Sequence, residues 1–174
     1  MRKVCFLFYF IIQINTKFCN LQIGGRRWKR FREWSAFSEF AKYFPITFVK
    51  TAELPTDKNY IFGLHPHGIL SFSHYINFGT EGTSFSKHFP GIIPHLITLR
   101  HLFMVPLGRE IMYFSGACSS SPESINNILS KSPKGNAAAI VIGGAKEVLD
   151  THQNSIILNL KNRKGFIRMA LRHG

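Results

Sequence analysis

Residues 137–142 (AAAIVI) form a continuous apolar run of strand length, and Gly143-Gly144 then turn the chain straight into Ala145-Lys146-Glu147. A strand with no polar alternation must be covered on both faces, so a surface sheet with one wet side is excluded and helices are required above and below it. Residues 60–64 (YIFGL) make a second such run, ending in His65-Pro66-His67-Gly68. Between and after these runs lie helix signals. Ser121-Pro122-Glu123 offers an N-cap, a proline at the first position and an acid in the first turn, predicting a helix to Lys131. Residues 164–172 read as a basic helix with Phe166, Ile167, Ala170 and Leu171 on its apolar side. Residues 155–160 (SIILNL) are a further strand candidate, and residues 46–59 a short strand with a polar turn. Strands alternating with helices predict an α/β fold, a mixed, largely buried sheet with flanking helices.

Length and charge narrow the function classes. With 174 residues there is room for one domain, not two catalytic ones. Lys and Arg number 22 against nine Asp and Glu, a net charge of +13 that attracts polyanions: lipid head groups, nucleic acid or phosphate-rich co-substrates. No DNA- or RNA-binding motif accompanies the charge, so nucleic acid is not expected as a partner. The three cysteines, Cys5, Cys19 and Cys118, have neither disulfide-framework nor zinc spacing, which suits a reducing, cytosol-facing setting. No G-x-S-x-G elbow, P-loop, dinucleotide fingerprint or C-x-x-C is present, arguing against serine hydrolases, nucleoside triphosphatases and redox enzymes.

The N-terminal part reads as membrane-directed. Residues 1–23 carry the apolar run VCFLFYFIIQI, about 16 Å long as a helix at ~1.5 Å per residue, which is too short to span a bilayer alone. Residues 24–45 place Trp28, Phe31, Trp34, Phe37, Phe40, Ala41 and Phe44 at spacings of three and four, with Arg26, Arg27, Lys29, Arg30 and Arg32 crowding the first turns. That pattern predicts one basic amphipathic aromatic helix, ended by Pro45, suited to lie at a membrane surface; packing on a core is the competing reading. Residues 46–174 are then the α/β domain.

The chemistry centres on the histidines. Of eight, only His65 and His67 share a rigid turn, set by Pro66 and Gly68. A third metal ligand at usable spacing is lacking, so no metal is expected. Imidazole titrates near neutral pH, so a histidine at the end of a buried strand suits a general base for acyl transfer, while on the four residues alone a turn histidine bonded to backbone is the favoured reading. Such a base needs a partner, and among the nine acids Glu147 leads because it follows a strand and Gly143-Gly144 at the sheet edge expected to hold the histidine turn; Glu81 and Glu110 come next.

Read together, Tyr60-Ile61-Phe62-Gly63, His65-Pro66-His67-Gly68, Asn77-Phe78 to Glu81, Phe89-Pro90-Gly91, Arg109-Glu110, Gly143-Gly144-Ala145-Lys146-Glu147 and Arg163-Lys164-Gly165-Phe166 resemble the type 2 diacylglycerol acyltransferase family. That family includes monoacylglycerol and wax-alcohol acyltransferases. The resemblance, from about Gly24 to Gly174, implies transfer of an acyl group from acyl-CoA to a lipid hydroxyl. The acceptor would be diacylglycerol, giving triacylglycerol, with monoacylglycerol or a long-chain alcohol as alternatives. It also implies a location at the endoplasmic reticulum membrane and lipid droplets. In this reading His67, or else His65, is the base and Glu147 orients its imidazole. The Gly143 and Gly144 amides meet the oxyanion, and Arg109, or Arg163 with Lys164, meets the CoA phosphates. Acyl-CoA is a co-substrate and no cofactor is required. The family's chain continues beyond the segment matching Arg172-His173-Gly174 to a Phe-Gly-Glu block absent here, and its N-terminal hairpin is matched only in part. The chain is therefore read as a partial family member, and a non-catalytic membrane-associated homologue is the competing hypothesis.

Overall fold

The structure is a computed structural model that describes residues 26–152 and 155–173. The apolar segment expected over residues 1–23 lies outside the described residues. Four strands, β1 (Tyr60–Leu64), β2 (Ile93–Thr98), β3 (Cys118–Ser119) and β4 (Asn136–Val141), make one sheet in the order β1-β4-β2-β3. Every pair is parallel, so the mixed sheet expected from the sequence is a parallel one. Parallel neighbours need long connections, and each successive strand is reached through at least one helix. Four of these elements match their expected extents closely, β1, β4, α6 (Pro122–Leu129) with its N-terminal cap, and α8 (Gly165–His173), although α8 buries Met169 and leaves Ile167, Ala170 and Leu171 of its expected apolar side exposed. Ser121 Oγ accepts the Ser124 N–H at the start of α6, as its cap sequence requires.

The alanines explain how β4 occupies the centre. Ala137, Ala138 and Ala139 are fully buried, and the register sets Ala138 between Ile61 and His95, and Ala139 between Phe62 and Leu96. Small side chains on the middle strand leave room for larger ones on both neighbours. On one face Ile97, Ala138, Ile61 and Ile140 pack under α6 and Met169 of α8. On the other, Leu64, Leu96 and Ala139 pack against Tyr113 of α5 (Gly108–Ser115) and Phe103. Cys118 is buried on β3.

His95 sits mid-strand in this core, 3 % exposed, with Nε2 3.3 Å from Asn136 Oδ1. Burial is the main cause that lowers its pKa to about 4, with Lys131 and Arg27 adding to the shift and Asn136 opposing it. The unfolded chain therefore binds a proton here between pH ~6.5 and ~4 that the folded chain refuses. Stability from this group is fully present above the higher value and lost as pH falls toward the lower. We expect unfolding free energy to drop by about 2 kcal/mol between pH 7.5 and pH 5, an effect removed in His95→Gln. Equal pH slopes in denaturant titrations of the two proteins would exclude it.

Three expected elements differ. Residues 46–59 contain no strand, and residues 155–160 are irregular apart from one bridge between His152 and Ser155. The single helix expected over residues 24–45 is two, α1 (Lys29–Arg32) and α2 (Ser35–Tyr43), separated by an extended Trp34. The break follows from Arg32, which is 2 % exposed and points into the domain. Its guanidinium donates to the carbonyls of Gly79 and Ser115, both at 2.6 Å, and to Glu81 Oε1 at 3.2 Å. Arg27 joins it, donating to the Pro94 carbonyl at 2.8 Å and pairing with Glu81 at 3.8 Å. Two of the five cations expected to face head groups thus serve the interior. The aromatic stripe is also partly inward: Phe31 meets Phe114, Phe37 meets Tyr75, and Phe40 meets Phe72. Trp28, Trp34, Tyr43 and Phe44 remain exposed. Among the described residues no helix is long and apolar enough to cross a membrane.

Candidate active site

Because β1 and β4 are parallel neighbours with Leu64 opposite Val141, their carboxyl ends deliver the His65–Gly68 turn and Gly143-Gly144 side by side. Open α/β sheets place ligands at this edge, outside the carboxyl ends of the strands. The His65-Pro66 peptide is cis and Gly68 has φ +62°. Gly68 is thus in the left-handed region that glycine occupies without cost, and the chain reverses there.

The turn fixes its own tautomer. His67 Nδ1 lies 2.8 Å from the Gly68 carbonyl oxygen, and a carbonyl only accepts, so Nδ1 carries the proton and Nε2 keeps its lone pair. In the neutral form of this half-buried ring the lone pair is therefore on Nε2. His67 is braced twice more, its carbonyl accepting the Ser71 hydroxyl at 2.8 Å and its N–H donating to Glu147. His65 has a buried Nδ1 without a hydrogen-bond partner. A third imidazole joins the pair. His74 Nε2 donates to the Pro66 carbonyl at 2.7 Å, and burial lowers its pKa, reinforced by His67 and His65.

Glu147 is 2 % exposed on the short helix α7 (Ala145–Leu149). Its Oε2 accepts the His67 backbone N–H at 2.8 Å and its Oε1 the Asn159 backbone N–H at 2.7 Å. Burial pushes this carboxyl up, but the two N–H donors and the nearby His65 and His67 more than offset it and hold the group below its usual value. The carboxylate therefore grips the main chain of the turn, where the sequence suggested contact with the ring. Gly143 makes this possible: a Cβ there would lie 1.7 Å from Glu147 Cδ.

The remaining expected site residues divide. Arg163 comes to this edge, its Nη2 donating to the Gly143 carbonyl at 3.3 Å, with Lys164 exposed next to it. Arg109 does not: it is 4 % exposed and lies over the Tyr113 ring at 5.0 Å, so its cation belongs to the packing of α5. Glu81 is held by Arg32 and Arg27, a structural cluster. Sequence reasoning missed Asn159 and His74. Asn159 interrupts SIILNL as its one polar residue past the first, and that was the available signal; nothing in the sequence marked His74 as a member of the turn.

The geometry is that of a strand-end histidine turn held by a carboxylate from the neighbouring strand's loop, and comparison with known proteins gives it a context. The description "Diacylglycerol acyltransferase" matches residues 3–174, nearly the whole chain. The chain belongs to the diacylglycerol acyltransferase family. It is 48% identical over 151 residues to human diacylglycerol O-acyltransferase 2, covering 87% of this chain and 39% of the human protein. It is equally 48% identical over 151 residues to mouse acyl-CoA wax alcohol acyltransferase 1, covering 87% of this chain and 46% of that protein. The Xenopus tropicalis diacylglycerol O-acyltransferase 2 is 44% identical over 169 residues, covering 97% of this chain and 46% of the relative. The chain thus spans less than half the length of these curated relatives. No solved structure matches it.

Proposed function

We propose that this family member is an acyl-CoA-dependent O-acyltransferase acting on a lipid hydroxyl, with diacylglycerol as acceptor and triacylglycerol as product. The observation that carries the reading is the His67 tautomer, locked by Gly68 so that Nε2 is free to accept a proton. Nε2 takes the proton of the acceptor hydroxyl as its oxygen attacks the thioester carbonyl. The tetrahedral intermediate collapses by breaking the carbon–sulfur bond, and the imidazolium returns the proton to the leaving CoA thiolate. The N–H groups of Gly143 and Gly144 are the proposed oxyanion donors, and the Glu147 charge close to both imidazoles favours the imidazolium that forms.

An apolar surface beside the turn suits a lipid acceptor. Ile69, Leu70 and Phe72 are exposed immediately after Gly68, and Phe40 links Phe72 to the exposed Phe44. A long-chain alcohol is the second reading, favoured by the equal identity to diacylglycerol O-acyltransferase 2 and wax alcohol acyltransferase 1. Labelled acyl-CoA with diacylglycerol, monoacylglycerol and a long-chain alcohol, followed by separation of product lipids, tests both. Triacylglycerol should dominate; a wax ester in its place selects the second reading, and absence of any ester overturns both.

We place the protein at the cytosolic face of the endoplasmic reticulum membrane and at lipid droplets, held through the apolar segment within residues 1–23. Because Arg27 and Arg32 serve the interior, the informative deletion stops before them. Removing residues 1–23 should move the protein from the membrane to the soluble fraction; full retention after a salt wash would put the anchor elsewhere.

A further inference from the structure

A second feature at the same sheet edge is a cluster of cations around an open cavity of ≈ 260 Å³. Lys146, Lys161 and Arg163 line it, together with Asn159 and Asn162. All three residues are exposed and carry like charge around one open space, and an anion bound there would reduce their mutual repulsion. Protein carboxylates do not relieve it here: none of the three is in an ion pair among the described residues. The two acids flanking the cavity are already engaged, Asp150 by the Asn159 side-chain amide at 2.8 Å and Glu147 by its two backbone donors. The guanidinium of Arg163 is braced on the Gly143 carbonyl, which holds its planar fork at the mouth of the site.

The cavity wall is also wired to the base. Asn159 donates its N–H to one oxygen of Glu147, and His67 donates its N–H to the other, so one carboxylate joins the cationic wall to the histidine turn. The segment carrying Asn159, Lys161 and Arg163 has no regular structure and leaves Ile156, Ile157 and Leu158 exposed, so little else holds it in place.

We propose that this cavity binds the phosphate groups of the acyl donor, and that filling it orders residues 155–163 and, through Asn159 and Glu147, sets the His67 turn for proton transfer. The inference rests on the acyl-CoA reading above and adds a site and a coupling to it. A ligand shifts such an equilibrium only through contacts it makes in one state, and the phosphates supply them by pairing with Lys146, Lys161 and Arg163. Donor binding and base positioning are then one event.

The test uses the purified chain and three probes: CoA, pantetheine, which lacks the phosphates, and phosphatidylglycerol vesicles. In calorimetry, Lys161→Ala with Arg163→Ala should weaken CoA by about tenfold or more and leave pantetheine unchanged. CoA affinity of the unmodified chain should also fall with added salt, a measurement that needs no variant. In hydrogen exchange, CoA should protect the peptides containing Asn159 and His67; in Glu147→Ala, which removes both acceptors, the protection should persist around Asn159 through the phosphate contacts and vanish at His67. Unchanged CoA affinity in the double variant, indifference to salt, or failure of the chain to bind CoA overturns the site. A variant that loses vesicle binding while keeping CoA assigns the cations to lipid head groups and overturns the donor assignment. Equal protection of His67 in Glu147→Ala overturns the coupling. If ester forms while the variant binds CoA normally, the site fails and the acyltransferase reading stands. If the variant loses CoA but no ester ever forms, the acyltransferase reading fails and the site stands.

Discussion

In an active preparation of the protein, His67→Ala should reduce acyl transfer by about 10³-fold or more, since a positioned general base contributes on the order of 10²–10⁴. Its fold should be almost unaffected. The ring is half-buried, and its one hydrogen bond, from Nδ1, goes to the adjacent Gly68, so no distant element depends on it. Two neighbours serve as controls. His74→Ala removes the bond to the Pro66 carbonyl and should loosen the turn, giving a smaller loss of turnover with some loss of thermal stability. His65→Ala removes a ring whose buried Nδ1 has no partner, so it tests whether that nitrogen takes part in the chemistry. Added imidazole should restore part of the activity of His67→Ala and none of that of His74→Ala, because only the first leaves a space where a proton acceptor is missing. Unchanged turnover in His67→Ala, or a larger loss in His65→Ala, would move the base to another residue.

The parts of this arrangement that were legible in the sequence are those set by local pattern. β1 and β4 announce themselves as unbroken apolar runs that any buried parallel sheet accommodates, and α6 by a serine cap that accepts an N–H three residues on. The juxtaposition of the His65–Gly68 turn with Gly143-Gly144 followed as well, since buried runs that end in turn residues belong at one edge of a parallel sheet. Where pattern misled, a distant partner had decided the matter. Apolar spacing over residues 24–45 suggests one helix, but Arg32 finds carbonyl acceptors at Gly79 and Ser115, 47 and 83 residues away, and the helix breaks so that it can reach them. SIILNL has strand composition, yet the Asn159 N–H goes to Glu147 where a ladder would have needed it. The contact Glu147 makes differs from the expected one for a related reason. Residue types suggest a carboxylate facing an imidazole, while the contact made is to the main chain, which has no residue type to read.

That main-chain contact sets the last expectation, that Gly143→Ala should nearly abolish turnover by displacing Glu147, although the substitution keeps the Gly143 N–H proposed to meet the oxyanion. The added Cβ would fall 1.7 Å from Glu147 Cδ and about as close to both oxygens, at 1.9 and 2.1 Å, so the carboxylate must leave. Its departure breaks two hydrogen bonds from N–H donors to a charged acceptor, each worth about 1.5–3 kcal/mol. It also frees the turn that holds His67. Glu147→Gln arrives at a related state by another route. An amide has one acceptor oxygen, so of the His67 and Asn159 N–H groups one is left facing an NH₂ that also donates. Both variants should lower the melting temperature as well as turnover, because the carboxylate clips residues 155–163 to the sheet edge. The pH dependence carries the sign. A carboxyl held below its usual 4.5 contributes stability that is present above that value and lost as pH falls through the lower, folded value. That acid-side loss should be weaker in Gly143→Ala and absent in Glu147→Gln. Combining Gly143→Ala with Glu147→Gln should cost little beyond the more severe single change, since both remove one carboxylate from one place. Losses that multiply would show that Gly143 also acts apart from Glu147, through the N–H it is proposed to offer the oxyanion, and that displacing the carboxylate is not its whole effect.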